Sequence, residues 1–307
     1  MQIIRNIPGT LPEPCVATIG FFDGVHMGHR FLINQVREVA LSKGLHSALI
    51  TFPEHPRKVM NSDYRPELLT TSNEKITLLE GTKVDECIML DFTDEIAKLT
   101  AREFMKNVLK ERYNVQVLVI GYDHRFGHNR SEGFEDYTLY GKSIGMEVVL
   151  AEACLLDQVH VSSSVIRSYL QKGEVDVAAR CLGYEYAIGG VVVGGYKVGR
   201  KIGFPTANLR IEDPEKLVPA DGVYAVRVDI EGQGYNGMLN IGYRPTLDNG
   251  LSRSIEVHIL HFNSDIYDST IRLSFVQRIR SEMKFSGLDE LVSQLNKDAV
   301  MVEAILG

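Results

Sequence analysis

The chain has 307 residues, 44% of them apolar, with 33 basic against 40 acidic side chains and a net charge of -7. That length holds about two domains with proper cores, and the acidic balance excludes a basic field able to track a nucleic-acid backbone. Cys15, Cys87, Cys154 and Cys181 show no CxxC pairing, MQIIRNIPGTLPEP has no apolar signal core, and no apolar run approaches the roughly 20 residues of a membrane span, so the expectation is a soluble, cytoplasmic protein with reduced thiols, acting on small molecules with neither nucleic acid nor membrane as partner.

From Cys15 to Ala151 strands and helices alternate: strands near 15–20, 46–52, 85–90, 115–121 and 146–151, helices near 29–43, 72–81, 100–112 and 134–145. Alternation of this kind predicts a mainly parallel sheet with helices on both faces, and ligands gather at the carboxyl ends of such strands. Thr100 and Glu103 form a capping box that opens one helix.

The first strand ends in Gly20-Phe-Phe-Asp-Gly-Val-His-Met-Gly-His29. Gly20 and Gly24 permit a sharp turn and close backbone approach, and the helix that follows points its free amides back at the same spot. His26 and His29 add donors suited to phosphate oxygens as charge grows on an attacked α-phosphate. An HxxH zinc pair lacks an accompanying cysteine or acidic cluster at metal spacing.

GFFDGVHMGH resembles the GxFDGVHxGH form of the prokaryotic bifunctional riboflavin kinase/FAD synthetase family, a branch of the HxGH nucleotidyltransferases. The resemblance implies a Rossmann-like α/β domain that transfers AMP from ATP to FMN, with Gly20, Phe21, Asp23 and Gly24 around ATP and flavin. Gly121-Tyr-Asp-His-Arg-Phe-Gly127 matches the family's GxxFxFG segment in part, which implies Asp123 near the ribose and Phe126 and Gly127 near the ligand. His124 stands there in place of an aromatic. Val161-Ser-Ser-Ser-Val-Ile-Arg167 resembles the ISSTxIR motif; Ser163 and Ser164 can donate to phosphate just before a helix, and Arg167 supplies a forked charge one turn in. Gly141-Lys-Ser143 is not a Walker A loop, because Asp136 stands where its first glycine belongs.

Short helices follow near 164–172 and 174–182, and at Gly183 the periodicity changes to two. Strands near 188–193, 222–230, 235–241, 255–262 and 270–279 predict a closed or nearly closed antiparallel barrel. A last helix near 288–305 carries Leu288, Leu291, Val292, Leu295, Ala299 and Val302 on one stripe, which should pack on the barrel. The expected domains are therefore 1–183 and 184–307.

Gly190 to Asn208 joins a glycine-rich turn to a basic pair and a PTAN box. Gly195, Gly199 and Gly203 allow backbone approach to a polyphosphate with Lys197 beside them, and the Thr206 hydroxyl and Asn208 carbonyl are hard donors suited to Mg2+. This segment resembles the riboflavin kinase signature, as do Asn240–Thr246, Ile255–His258 and Arg280–Phe285. The resemblance implies Glu256 as the base that takes the riboflavin 5′-hydroxyl proton, with Arg280 near the flavin. Read from the residue pattern alone, Glu256 is also compatible with an outward-facing strand residue. Gly194 and Asp268 depart from the family, which usually has histidine and glycine there. The expected activity is ATP- and Mg2+-dependent conversion of riboflavin to FMN and of FMN to FAD. A single-activity relative or a flavin-sensing regulator would lose His29, Glu256 or the PTAN box, and all are present.

Overall fold

Val16, Ala17, Leu49, Ile50, Leu118 and Val119 have no exposed surface, as strands covered on both faces require. The computed structural model describes residues 1–5, 13–61, 63–121, 124–128, 130–156, 159–195, 198–245 and 251–307. The chain forms two compact units, Met1–Ser163 and Ser164–Gly307.

The first unit runs β1 (Gln2–Arg5), β2 (Cys15–Ile19), α1 (Met27–Lys43), β3 (His46–Thr51), α2 (Pro56–Met60), α3 (Ser72–Glu80), β4 (Glu86–Met89), α4 (Asp94–Ala97), α5 (Ala101–Glu103), β5 (Val115–Ile120), α6 (Phe134–Ile144) and β6 (Glu147–Leu150), then a short antiparallel pair, β7 (Leu155–Leu156) and β8 (Val159–His160). The six-stranded sheet has the order β1-β4-β3-β2-β5-β6 and is parallel throughout. The strand order reverses about β2, so its carboxyl end opens on the crevice expected to hold ligand. The edge strand β1 escapes periodicity because four residues are too few to show one. The helix expected near 100–112 opens with the Thr100–Glu103 capping box and continues as a π-helix, Phe104–Lys110. With more residues per turn than an α-helix, it points Phe104, Met105, Val108 and Leu109 all into the core.

In the second unit α7 (Ser163–Lys172) and α8 (Val175–Leu182) precede β9 (Ala187–Val193), α9 (Val198–Lys201), β10 (Ala207–Arg210), β11 (Gly222–Ile230), β12 (Gln233–Pro245), β13 (Leu251–Ile259), β14 (Thr270–Arg280) and α10 (Leu288–Leu306). The six strands close as β10-β13-β12-β11-β14-β9, with β9 pairing back onto β10. The extra strand β10 begins within the PTAN box, whose polar residues hide its alternation.

α10 lies against β11, β12 and β14. Its inner stripe is Leu295, Ala299, Val302 and Leu306, whereas Leu288 is 60% exposed. The stripe contains one charge, Asp298, at 1% exposure. Arg280 answers it from β14, with Nη2 at 2.8 Å and Nε at 3.0 Å from Oδ2, and Gln294 Nε2 donates to Oδ1 at 2.8 Å. Asp268 adopts φ 61°, the left-handed region that favours glycine and that Asp tolerates better than most residues. The departure at 268 therefore keeps the turn's shape.

α8 packs on β14, and Ile166, Leu170, Val175, Ala178 and Leu182 are fully buried. Gly173, at φ +80°, passes so close to Tyr224 that a Cβ would sit 2.9 Å from its hydroxyl. These helices belong to the barrel's compact unit although the change of periodicity falls after them, at Gly183. A fragment 164–307 should accordingly be more stable than a fragment 184–307 by several kcal/mol, since each buried aliphatic side chain is worth about 1.5–3 kcal/mol. Urea unfolding of the two fragments checks this; equal midpoints would show that the helices add nothing to the barrel.

Candidate active sites

At the end of β2 the backbone takes positive φ at Phe22 (54°), Gly24 (78°) and Val25 (36°). For a buried β-branched residue such as Val25 this is a true outlier, and such conformations persist only where surrounding contacts over-determine them. Asp23 supplies those contacts. Its buried carboxylate accepts from the Leu69 and Thr70 amides at 3.0 Å and from the Thr70 hydroxyl at 3.1 Å, while the Gly24 amide donates to that hydroxyl at 3.1 Å. Arg30 Nε donates to the Val25 carbonyl at 3.0 Å, and the Ser163 hydroxyl donates to the Asp23 carbonyl at 3.0 Å. Gly20 does not use a positive φ; it makes room for the Phe22 ring, which a Cβ would meet at 3.1 Å.

The turn delivers His26 to the N-cap of α1, where Nδ1 accepts the His29 amide at 3.2 Å. With Nδ1 so used, the proton of a neutral His26 rides on Nε2. The His26 and His29 rings stack with centroids 3.6 Å apart, and Phe22 meets His29 edge-on at 5.2 Å. A Cβ on Gly28 would press on the His26 ring at 3.2 Å and on the Val161 carbonyl at 3.0 Å. Burial above all, with electrostatic coupling to the neighbouring His26, His124 and Lys75, holds the His29 imidazole well below its ordinary range. His29 Nδ1 is buried and has no hydrogen-bond partner among the described residues. A neutral imidazole with an unsatisfied buried nitrogen beside a helix start is the feature here that a phosphate ligand would complete.

Sequence reading missed Lys75 at this site and gave His124, which acts electrostatically on His29, no role there. Lys75 shares the inner face of α3 with Leu79, and that i, i+4 relation was the available signal. Thr51 donates to the Phe21 carbonyl at 3.2 Å. Phe126 lies in the core, stacked on Tyr137 at 4.3 Å, and Gly127, at φ +93°, abuts the Ala101 backbone. His128 Nδ1 sits 3.1 Å from the Ala97 carbonyl. Asp123 and Lys197 lie outside the described residues. Ser164 stands on the first turn of α7 and Arg167 one turn in, in the second unit.

In the barrel, cross-strand register sets Asn208 of β10 and Asn240 of β12 on either side of Glu256 in β13. The Thr206 hydroxyl donates to Glu256 Oε2 at 3.3 Å and the Ser254 hydroxyl to Oε1 at 3.2 Å. His258, the next side chain on that face, has Nδ1 2.8 Å from the Pro205 carbonyl, so it donates there and fixes the PTAN turn. A Cβ on Gly195 would overlap the Asn208 amide and one on Gly199 the Phe204 carbonyl; both glycines are required by close approach. Gly203 takes φ +84°. Beside Thr206 opens a cavity of about 410 Å³ lined by Val192, Arg200, Ile259, Phe262 and Tyr267, within the range of small-ligand sites. Arg280 is held by Asp298, with Phe285 at 5.8 Å from its guanidinium. Among the described residues no three His, Cys, Asp or Glu side chains form a metal cluster. Thr206 and Asn208 are hard oxygen donors next to a carboxylate, a set that fits Mg2+.

Residues 10–165 match the FAD synthetase family and residues 182–306 the riboflavin kinase family. Over 307 residues the chain is 36% identical to a bifunctional riboflavin kinase/FMN adenylyltransferase of Pseudomonas fluorescens, covering 99% of this chain and 98% of that one. It belongs to that bifunctional family. The proteins of the same name from Bacillus subtilis (37% identity, 92% and 90% covered) and Escherichia coli K12 (34%, 100% and 98%) agree. A solved Streptococcus pneumoniae structure described as a macrolide-efflux protein superposes with a TM-score of 0.88 at 33% identity over 99% of both chains. No described helix of the present chain is long and apolar enough to cross a membrane.

The Asp23 contacts generate a test. Asp23→Ala leaves the Leu69 and Thr70 amides without their acceptor and should cost the first unit about 2 kcal/mol or more, together with most FAD formation. Thermal unfolding and an assay from FMN check both effects; native stability would show that the turn does not depend on this carboxylate.

Proposed function

We propose that residues 1–183 carry the machinery of FMN adenylylation and residues 184–307 that of riboflavin phosphorylation. The chain phosphorylates riboflavin to FMN and adenylylates FMN to FAD with release of pyrophosphate. The observation that carries the barrel's part is the row of Thr206, Asn208 and Glu256, in which a carboxylate lies beside two hard oxygen donors. Its substrates are small molecules, riboflavin, FMN and ATP, and we infer a cytoplasmic enzyme.

In the kinase step Glu256 takes the proton of the riboflavin 5′-hydroxyl as that oxygen attacks the γ-phosphorus and ADP leaves. Thr206 and Asn208 would hold Mg2+, which when bound neutralises phosphate charge. The backbones at Gly195, Gly199 and Gly203 line the polyphosphate path, with Lys197 assigned to phosphate by resemblance alone, and the cavity beside Thr206 takes the nucleotide, with Phe262 and Tyr267 as its aromatic walls. Arg280 serves the flavin side with its guanidinium set by Asp298. The reaction then rests mainly on positioning.

For adenylyl transfer no base is needed, because the FMN phosphate is already an anion when it attacks the α-phosphorus and pyrophosphate departs. His26 and His29 donate to the phosphates, His29 as a neutral imidazole, with Gly20, Phe21, Asp23 and Gly24 shaping the turn that aims them. Ser163, Ser164 and Arg167 take the phosphate-holding role of the ISSTxIR motif. Asp123 serves the ribose, and Phe126 and Gly127 support the loop that follows β5.

Two substitutions separate the steps. Glu256→Gln keeps shape while removing basicity, so riboflavin phosphorylation should fall by roughly 10²–10⁴ with FMN adenylylation unchanged. His29→Ala should leave phosphorylation intact and lower FAD formation by about 10²–10³. Chromatographic separation of riboflavin, FMN and FAD reads both, and a folded variant that makes its product at the native rate would remove that residue from the mechanism.

A further inference from the structure

Lys75 is 2% exposed, and burying a long cationic side chain is costly unless it is paired. Its Nζ donates to the Phe52 carbonyl at 2.7 Å and the Phe21 carbonyl at 3.2 Å, and lies 4.2 Å from the centroid of the Phe21 ring. Among the described residues no carboxylate forms an ion pair with it. Both carbonyls belong to strand ends: Phe21 follows β2 and opens the HxGH turn, and Phe52 follows β3. The ammonium thus ties the two strands together at the mouth of the crevice, its direct contacts being carbonyl oxygens and a ring face.

We propose that Lys75 is a positioning residue for adenylyl transfer, clamping the carboxyl ends of β2 and β3 under the HxGH turn and lending its positive charge to phosphate bound there. The proposal rests on the assignment of adenylyl transfer to this turn. A structural lysine could be placed anywhere in the core, but this one acts electrostatically on His29, whose imidazole its field helps keep uncharged. One cation that discourages protonation of His29 while attracting phosphate gives the site donors without a second titrating charge. The groups that bear on the ammonium are Asp23 from the turn, Cys87 from β4 and His29 from α1. Burial brings its pKa down to about 8, against the upward pull of Asp23 and Cys87. The lysine therefore loses its proton as the pH rises through about 8, far below the loss expected of a lysine in water.

The test measures FAD formation from FMN against pH in the wild-type protein and in Lys75→Gln, which can still donate to a carbonyl but carries no charge. The wild type should lose activity above about pH 8. Lys75→Gln should be at least about tenfold slower near pH 7, should lack that descending limb, and should show the His29 ring resonances titrating at higher pH. A wild-type profile flat from pH 7 to 9.5 overturns the proposal and needs no variant, so misfolding of Lys75→Gln cannot shield it. Native activity in a folded Lys75→Gln overturns it equally. His29→Ala in the same assay separates the readings: if it too retains full activity, the assignment of the site has failed, and if it alone is inactive, only the role of Lys75 has.

Discussion

The first unit depends on one buried carboxylate. Asp23 spends its oxygens on the Leu69 and Thr70 amides, and those bonds hold a turn in which Phe22, Gly24 and Val25 all have positive φ. Released from that hold, the turn would relax, His26 would leave the N-cap of α1, and the stack of imidazoles would come apart. Strain at an active site is usually maintained by surrounding structure, and here the maintaining contact can be named.

The barrel solves the equivalent problem without strain. Closure fixes register, and register places Asn208, Glu256 and Asn240 across three adjacent strands, so a carboxylate and hard oxygen donors meet because β10 pairs with β13. His258 holds Pro205 from the same face. Preorganisation comes from hydrogen-bonded strands in one unit and from a clamped turn in the other, as suits the proton-accepting carboxylate and the donor imidazoles we propose.

Much of this was legible in the residues. Apolar runs such as Cys15–Ile19 and the capping pair Thr100–Glu103 located elements to within a residue or two, because burial on both faces and helix capping are local properties. HxGH and PTAN were legible for the same reason. What escaped depends on distant partners. Asp23 is placed by Leu69 and Thr70, Arg280 by Asp298, and Phe126 by Tyr137, none of them near in sequence. Lys75 was hidden by the ordinary habit of reading a helical lysine as solvated, although Leu79 one turn on marked its face as buried. β1 and β10 were too short, or too polar, to carry a period.

The central claim is that one chain performs both chemistries in order, each with its own leaving group. The most direct measurement follows purified protein with riboflavin and Mg·ATP over time, resolving the flavins together with ADP and pyrophosphate. The account predicts that FMN rises first and then converts to FAD, with ADP matching total phosphorylated flavin and pyrophosphate matching FAD. FMN accumulating without FAD or pyrophosphate, or riboflavin left unchanged, would contradict it.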